Sequence, residues 1–345
     1  MPSPRAAASD PVDELLRRGE LTSNPRSPLR RERRSEANPE PREIQPQKAR
    51  RVAKSRIAIV RAPWDAWPWL VHGFSTRTGG VTGAYRPGQG EGEPGSDLNL
   101  GFTQTDTREN VIENRRRFLR ALGAPATMKL VTLKQIHSAS ILTVGEHDLS
   151  GENPCQGDGL MTDLPGVLLA IQTADCTPVL IADVKRKAVA AFHAGWRGTV
   201  KRIVESGVGK MRVAFRSRPE DLIAAIGPGI AACCYAVGEE VRSEFGSQFG
   251  YAAELFHAIS DSDPIREKYP MLFLTARAPG HSHLGPSLHL DLMEANRRQL
   301  LDAGLRAEAI TVIGDCTRCQ NNRYFSYRAE QGWTGRMLSA VGMRS

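Results

Sequence analysis

The chain has 345 residues, 40% of them hydrophobic, enough for one large domain or two small ones with a real core. No apolar run approaches the roughly 18 residues of a membrane span, which excludes a spanning helix. The formal net charge of +8 is uneven: residues 1–56 carry 14 Lys/Arg against 8 Asp/Glu and the remainder 32 against 30, so the globular part is nearly neutral and its charge names no substrate.

Residues 1–56 are rich in Arg, Pro, Ser and Glu and lack aromatic residues. They read as a solvated, disordered extension whose basic character gives at most weak contact with nucleic acid. The segment has no apolar stretch of the secretory kind and carries Asp10, Asp13, Glu14 and Glu20, unlike a transit peptide, so a cytoplasmic location is expected. Six cysteines, at 155, 176, 233, 234, 316 and 319, show no secreted disulfide framework.

From Ile57 onward the pattern is globular. Trp69 to Arg77 reads as a strand followed by a turn at Thr78-Gly79-Gly80, and a glycine-rich loop over Gly88 to Gly95 leads to Asp97-Leu98-Asn99-Leu100-Gly101. Val111, Ile112, Phe118, Leu119 and Leu122 make an apolar stripe at helical spacing over Arg108 to Leu122, closed by Gly123. Leu130 to Val144 reads as a strand pair or extended run containing Gln135-Ile136-His137. Val167 to Ile171 and Ala188 to Phe192 are apolar strands.

Ile203 to Phe215 reads as a helix, although Gly207 and Gly209 weaken it. A buried strand over Leu222 to Ile226 runs into Gly227-Pro228-Gly229-Ile230. Ser260 to Pro286 has the look of an inserted loop; a helix over Leu290 to Ala303 with Gly304 as its stop and a strand over Ala309 to Ile313 follow. Strands and helices intermix without strict βαβ alternation. The expectation is one α+β domain over residues 57–345, with mixed β-sheets packed against helices.

Chemistry concentrates in two segments, Gln172-Thr173-Ala174-Asp175-Cys176 and His193-Ala194-Gly195-Trp196-Arg197-Gly198. The polar turn at Val184-Lys185-Arg186-Lys187 folds an antiparallel pair between them, and at ~3.4 Å per residue Cys176 and His193 reach the same end of that pair. A thiol and an imidazole there are either metal ligands or a nucleophile and its base. His137 ends another extended segment. Two imidazoles and a thiolate leave one open position on a tetrahedral ion, the arrangement of a catalytic zinc site, and the same set accepts copper. An ion so held acidifies water and polarises phosphate or carbonyl oxygens. Asp175 is the expected group to orient an imidazole or act as a general base.

Arg77, Arg197 and Arg336 sit in glycine-bearing turns, where a guanidinium can grip phosphate or carboxylate through two parallel hydrogen bonds. Arg77 and Arg197, with Asn99 and Gln135 as further polar contacts, are the expected substrate-binding residues. Other clusters are weaker. Cys316-Thr317-Arg318-Cys319 is a lone CxxC without a second half at zinc-ribbon spacing and reads as structural, Cys233 and Cys234 are expected to point different ways, and His281-Ser282-His283 is a single HxH pair. The zinc-deaminase HxE…PCxxC signature is missing.

Taken together the segments resemble the YfiH family, bacterial relatives of the human laccase-domain protein that are described both as multicopper polyphenol oxidases and as purine nucleoside phosphorylases. The resemblance rests on His72-Gly73-Phe74-Ser75-Thr76-Arg77-Thr78-Gly79-Gly80-Val81, Asp97-Leu98-Asn99-Leu100-Gly101, Glu113-Asn114-Arg115, Gln135-Ile136-His137-Ser138 and Asp158-Gly159-Leu160-Met161-Thr162. It continues through Thr173 to Leu180, His193 to Thr199, Ile226 to Ile230, Cys316-Thr317, Phe325-Ser326-Tyr327-Arg328 and Thr334-Gly335-Arg336-Met337. It spans residues 57–345 in order. The basic N-terminal extension has no counterpart in the family core, and Gly238 to Leu290 is longer and more irregular than the family leads one to expect.

The resemblance implies that His137, Cys176 and His193 are a zinc-binding triad in packed mixed sheets similar to those of deamidase toxins. It implies phosphorolysis of adenosine, inosine and methylthioadenosine, with deamination of adenosine as a side activity. Purine nucleosides and phosphate would be the partners, and no membrane. A copper-dependent phenol oxidase and a metal-free thiol hydrolase, with Cys176 as nucleophile and His193 as base, are the alternatives.

Overall fold

The computed structural model describes residues 57–85, 97–150, 155–259 and 286–345. The basic extension, the whole glycine-rich loop, the HxH pair and nearly all of the expected insertion lie outside them. In chain order the first elements are β1 (Ile59–Val60), β2 (Leu70–Ser75), β3 (Thr78–Thr82), α1 (Arg108–Leu122), β4 (Lys129–Val131), β5 (Ile141–Thr143) and β6 (Gly159–Thr162). There follow β7 (Val167–Thr173), β8 (Thr177–Asp183), β9 (Ala188–Ala194), α2 (Trp196–Val200), α3 (Ile203–Phe215) and β10 (Leu222–Ile226). Last come α4 (Glu239–Gln248), β11 (Phe256–Ile259), β12 (Ser287–Leu290), α5 (Leu292–Asp302), β13 (Ile310–Val312) and β14 (Met337–Met343).

Two mixed sheets face each other. One runs β1-β2-β14-β7-β4, the other β13-β10-β8-β9-β6-β5. Phe74, Leu169, Ile171 and Val341 from the first sheet meet Leu180, Val189, Ala191 and Ala225 from the second in the space between them. The alternate residues point outward: Leu168, Ala170 and Leu338 pack under Phe118 and Leu122 of α1. On the far side Val179, Ala190, Phe192 and Ala224 pack under Val204 and Met211 of α3 and Leu300 of α5. Strands covered on both faces need apolar side chains at every position. That is why Val167 to Ile171 and Ala188 to Phe192 read as unbroken apolar runs. The architecture is α+β, as the sequence implied.

Local signals act where expected. The Thr107 side chain accepts from the Asn110 N–H at the start of α1, and Gly123 closes the helix in the left-handed region. Gly207 is required rather than disruptive, because a Cβ there would stand 2.3 Å from Cζ of Phe192. At the β8–β9 turn one Asp183 oxygen accepts the N–H groups of Lys185 and Arg186, fixing a register that sets Pro178 opposite His193.

Two expectations need correction. Thr78 to Thr82 is a strand rather than a bare turn. The strands within Leu130 to Val144 do not pair with each other: β4 joins the first sheet through β7 and β5 the second through β6. The segment between them therefore crosses from sheet to sheet. The described part of 238–290 packs Val241 and Phe245 of α4 with Leu255, Leu290 and Val200 as a satellite core. Among the described residues no helix is long and apolar enough to cross a membrane.

Candidate active site

The site forms where the chain passes between the sheets. β7 ends the first sheet at Thr173 and β8 opens the second at Thr177, so Ala174, Asp175 and Cys176 make the crossing. Asp175 holds a φ of 89°, and His137, on the β4-to-β5 crossing, a φ of 57°. Such backbone costs about 1–3 kcal/mol per residue and persists where neighbours over-determine it. Asp175 is held by the Thr317 hydroxyl and the Arg328 N–H, each donating to its carboxylate at 2.6 Å, and its own carbonyl accepts from the Ile230 N–H at 2.7 Å. His137 is held through its N–H, which donates to Asp158 at 3.0 Å. The N–H and hydroxyl of Ser138 donate to the same carboxylate at 2.6 and 2.7 Å.

Cys176, His137 and His193 converge. Cys176 Sγ lies 3.9 Å from His137 Nε2, the two imidazoles cross edge to face at 4.9 Å, and all three potential donor atoms lie within 4.8 Å of one another. Gly195 leaves the space for this approach, since a Cβ there would lie 3.0 Å from Cys176 Sγ and 3.3 Å from His137 Cδ2. His193 Nδ1 is 2.8 Å from Asp158 Oδ1, so Nε2 is the ring nitrogen left for the cluster. A tetrahedral zinc with bonds of ~2.0–2.3 Å draws its ligand atoms to separations of ~3.3–3.6 Å. Cys176 Sγ and His137 Nε2 need to close by a few tenths of an ångström, and His193 joins them from within 4.8 Å. With a carboxylate already orienting one imidazole, they fit a borderline-soft divalent ion.

Electrostatics prepare the thiolate. Burial opposes ionisation of Cys176, but the charge on His193 and the hydrogen bond with His137 outweigh it and bring the thiol down to about 6. Burial likewise opposes charge on His193, yet the Cys176 thiolate and Asp158 raise it to about 9. Asp158, opposed by burial but hydrogen-bonded to His193 and Ser138, is held well below the usual carboxylate range. Without an ion the pair is a thiolate–imidazolium, capable of nucleophilic attack as well as ligation.

The cluster floors a cavity of about 680 Å³ whose walls include Gln135, Asp175, Trp196, Arg197, Tyr235, Tyr327, Arg328 and Arg336. Of the residues expected from sequence, His137, Cys176, His193, Asp175, Gln135 and Arg197 come together here. Arg77 and Asn99 do not line the cavity. The buried Arg77 guanidinium is consumed by Asp97 at 2.8 Å and Glu330 at 2.9 Å and stacks over Phe325, which makes it a structural ion pair. Asn99, fully buried, accepts the N–H of Arg336 at 2.9 Å and so positions an arginine that does line the cavity.

Gln135 clamps the backbone of Gln172 with both ends of its amide at 2.8 Å, leaving that amide committed to structure. Asp175 orients no imidazole, since its oxygens are taken by Thr317 and Arg328; Asp158 does that work. The only sign of Asp158 in the sequence was Asp158-Gly159 ahead of an apolar strand, 35 residues from its histidine. Tyr235 and Arg328 were also missed. Cys233 and Cys234 do not diverge: both sulfurs face Cys319.

The family model described as multi-copper polyphenol oxidoreductase laccase matches residues 71–344. A Geobacillus stearothermophilus protein named purine nucleoside phosphorylase YlmD is 35% identical over 288 residues, 81% of this chain and 96% of its own. A Deinococcus radiodurans protein named purine nucleoside phosphorylase is 36% identical over 83% of this chain and 93% of its own. One from an unknown prokaryotic organism, named adenosine deaminase RL5, is 29% identical over 79% and 93%. The solved structure of Bacillus licheniformis hypothetical protein YfiH superposes with a TM-score of 0.66 at 30% identity, covering 81% of this chain and 95% of that one. On the family match, these relatives and the shared architecture, the chain belongs to the YfiH/YlmD family of laccase-domain proteins.

Proposed function

We propose that this chain is a metal-dependent purine nucleoside phosphorylase, converting adenosine, inosine or methylthioadenosine and phosphate to free base and ribose 1-phosphate. The observation that carries the reading is the Asp158-anchored Cys176–His137–His193 cluster at the floor of a cavity walled by three arginines and three aromatic rings. Its volume of about 680 Å³ is within the range of ordinary small-molecule sites. Relatives named purine nucleoside phosphorylase support it.

Arg197, Arg328 and Arg336 are the groups assigned to phosphate, in place of Arg77. Trp196, Tyr235 and Tyr327 offer faces to a purine. A phosphate oxygen attacks C1′ as the C1′–N9 bond breaks, and the bonding pair leaves with the purine. Burial first, then the neighbouring Cys176 charge, push the Tyr235 hydroxyl up and keep it protonated, so it is the wall donor assigned to the leaving base. Zinc is the ion we assign to His137, Cys176 and His193, with copper the alternative occupant; when bound it supplies a Lewis acid at the cavity floor.

Deamination of adenosine, with water replacing phosphate and ammonia leaving from C6, is the second reading, favoured by the relative named adenosine deaminase. A copper-dependent phenol oxidase is less well supported, because three ligands hold a single ion rather than a several-copper centre. A metal-free thiol hydrolase is favoured by the thiolate–imidazolium pair alone and requires full activity in chelator.

The test is chromatography of inosine and adenosine incubated with the protein, with and without phosphate, beside Cys176→Ala. Phosphate-dependent base and ribose 1-phosphate, lost in the variant, is the expected result. Inosine formed from adenosine without phosphate selects deamination, and no turnover of either nucleoside overturns both.

A further inference from the structure

Four of the six cysteines meet at a place the nucleoside chemistry does not use. The turn after Gly229 carries Cys233 and Cys234, and the turn before Asn321 carries Cys316 and Cys319. Two contacts zip these turns together: the Thr317 N–H donates to the Gly229 carbonyl at 2.9 Å, and Gly229 bridges to Cys316 in parallel. Cys319 Sγ lies 3.4 Å from Cys234 Sγ and 3.6 Å from Cys233 Sγ, those two are 3.8 Å apart, and Cys316 completes a set of four sulfurs within 4.8 Å of one another.

We propose that Cys233, Cys234, Cys316 and Cys319 hold a second metal ion, a structural zinc in a closed tetrathiolate site. Zinc–sulfur bonds of ~2.3 Å set the edge of a ligand tetrahedron at ~3.8 Å, close to the separations present, whereas a disulfide requires ~2.05 Å. Four ligands close the site, the arrangement of a structural rather than a catalytic zinc. The N–H groups of Ala231 and Cys319 are both aimed at the Cys316 sulfur, as expected around a thiolate ligand. Cys234 and Cys316 are buried while Cys233 and Cys319 are exposed, which leaves a path for the ion to enter.

The location gives the ion a task. Ile230 and Thr317, one on each joined turn, both donate to Asp175, the residue before Cys176. Tyr235, next to Cys234, lines the cavity. The second ion fastens the two loops that hold the catalytic crossing in its strained shape.

The experiment is metal analysis of full-length protein purified with zinc and a reductant, comparing wild type, Cys319→Ser and the double variant His137→Ala/Cys176→Ala. The double variant leaves the first site a single ligand, so it is expected to retain one equivalent of zinc, and X-ray absorption should show that zinc in an all-sulfur shell. Cys319→Ser should lose one equivalent relative to wild type. Zinc absent from the double variant, a nitrogen or oxygen shell around it, or a disulfide among the four cysteines in the native protein overturns the proposal. Should Cys319→Ser fail to fold, the spectrum of the double variant still decides.

Discussion

Asp158 and His193 are joined at 2.8 Å between Oδ1 and Nδ1, and the same carboxylate takes the backbone N–H groups of His137 and Ser138. One acid thereby fixes the ring of one histidine of the cluster and the backbone of the other. Asp158→Asn is expected to weaken metal binding by ~10–100-fold, the usual cost of losing the partner of a ligating histidine. Competition against a chromogenic chelator measures it. An unchanged affinity would mean that the histidine is oriented by something else.

In protein stripped of metal, Cys176 should alkylate as a thiolate. Its titration near 6 lies below an ordinary thiol's ~8.5, so the rate with iodoacetamide should rise through pH 6 and level off above pH 7. The group is charged above its midpoint, and acid protects it. His193→Gln removes the main opposing charge and should move the midpoint upward. A wild-type midpoint near 8.5 contradicts the ion pair.

Arg77→Ala should damage stability rather than phosphate use. It strips the buried Asp97 of a two-bond partner, and breaking a buried pair typically costs ~3–5 kcal/mol. The denaturant midpoint should fall, and folded protein should keep its KM for phosphate. Arg336→Ala should do the reverse, raising the phosphate KM by ~10–100-fold, as loss of a charge-assisted bond of ~1.5–3 kcal/mol predicts. A raised phosphate KM in Arg77→Ala with normal stability would return that residue to the site.

The two glycines of α3 separate packing from propensity. A Cβ at Gly207 meets Phe192 at 2.3 Å, whereas one at Gly209 meets nothing within 4 Å. Gly207→Ala should destabilise by ~1–3 kcal/mol through overpacking. Gly209→Ala should stabilise by ~0.5–1 kcal/mol through helix propensity. Thermal or urea unfolding of the two variants checks the contrast.

What could be read from sequence followed from local physics. The stripe and stop glycine located α1, the apolar runs located β7 and β9, and the spacing about Lys185 brought Cys176 and His193 to one end of a strand pair. Long-range pairings had no such signal. Asp158 meets His193 across the β6–β9 register, and Cys319 meets Cys234 across 85 residues. A CxxC and a CC look incomplete until the fold adds them together. Arg77 shows the opposite limit: an arginine in a glycine turn looks the same in sequence whether it grips substrate or Asp97. The extension at 1–56 and the expected insertion lie outside the described residues.

β14 follows every other described strand in the chain, yet it lies in the interior of the first sheet, with β2 on one side and β7 on the other. On a ribosome β2 and β7 emerge early and must wait for it. The second sheet, whose strands all precede β14, can associate first, so the space between the sheets closes late. Until β14 arrives, the unpaired edges of β2 and β7 are open to strands of neighbouring nascent chains. Arrival of β14 covers both edges in one step, because it pairs with β2 and β7 at once.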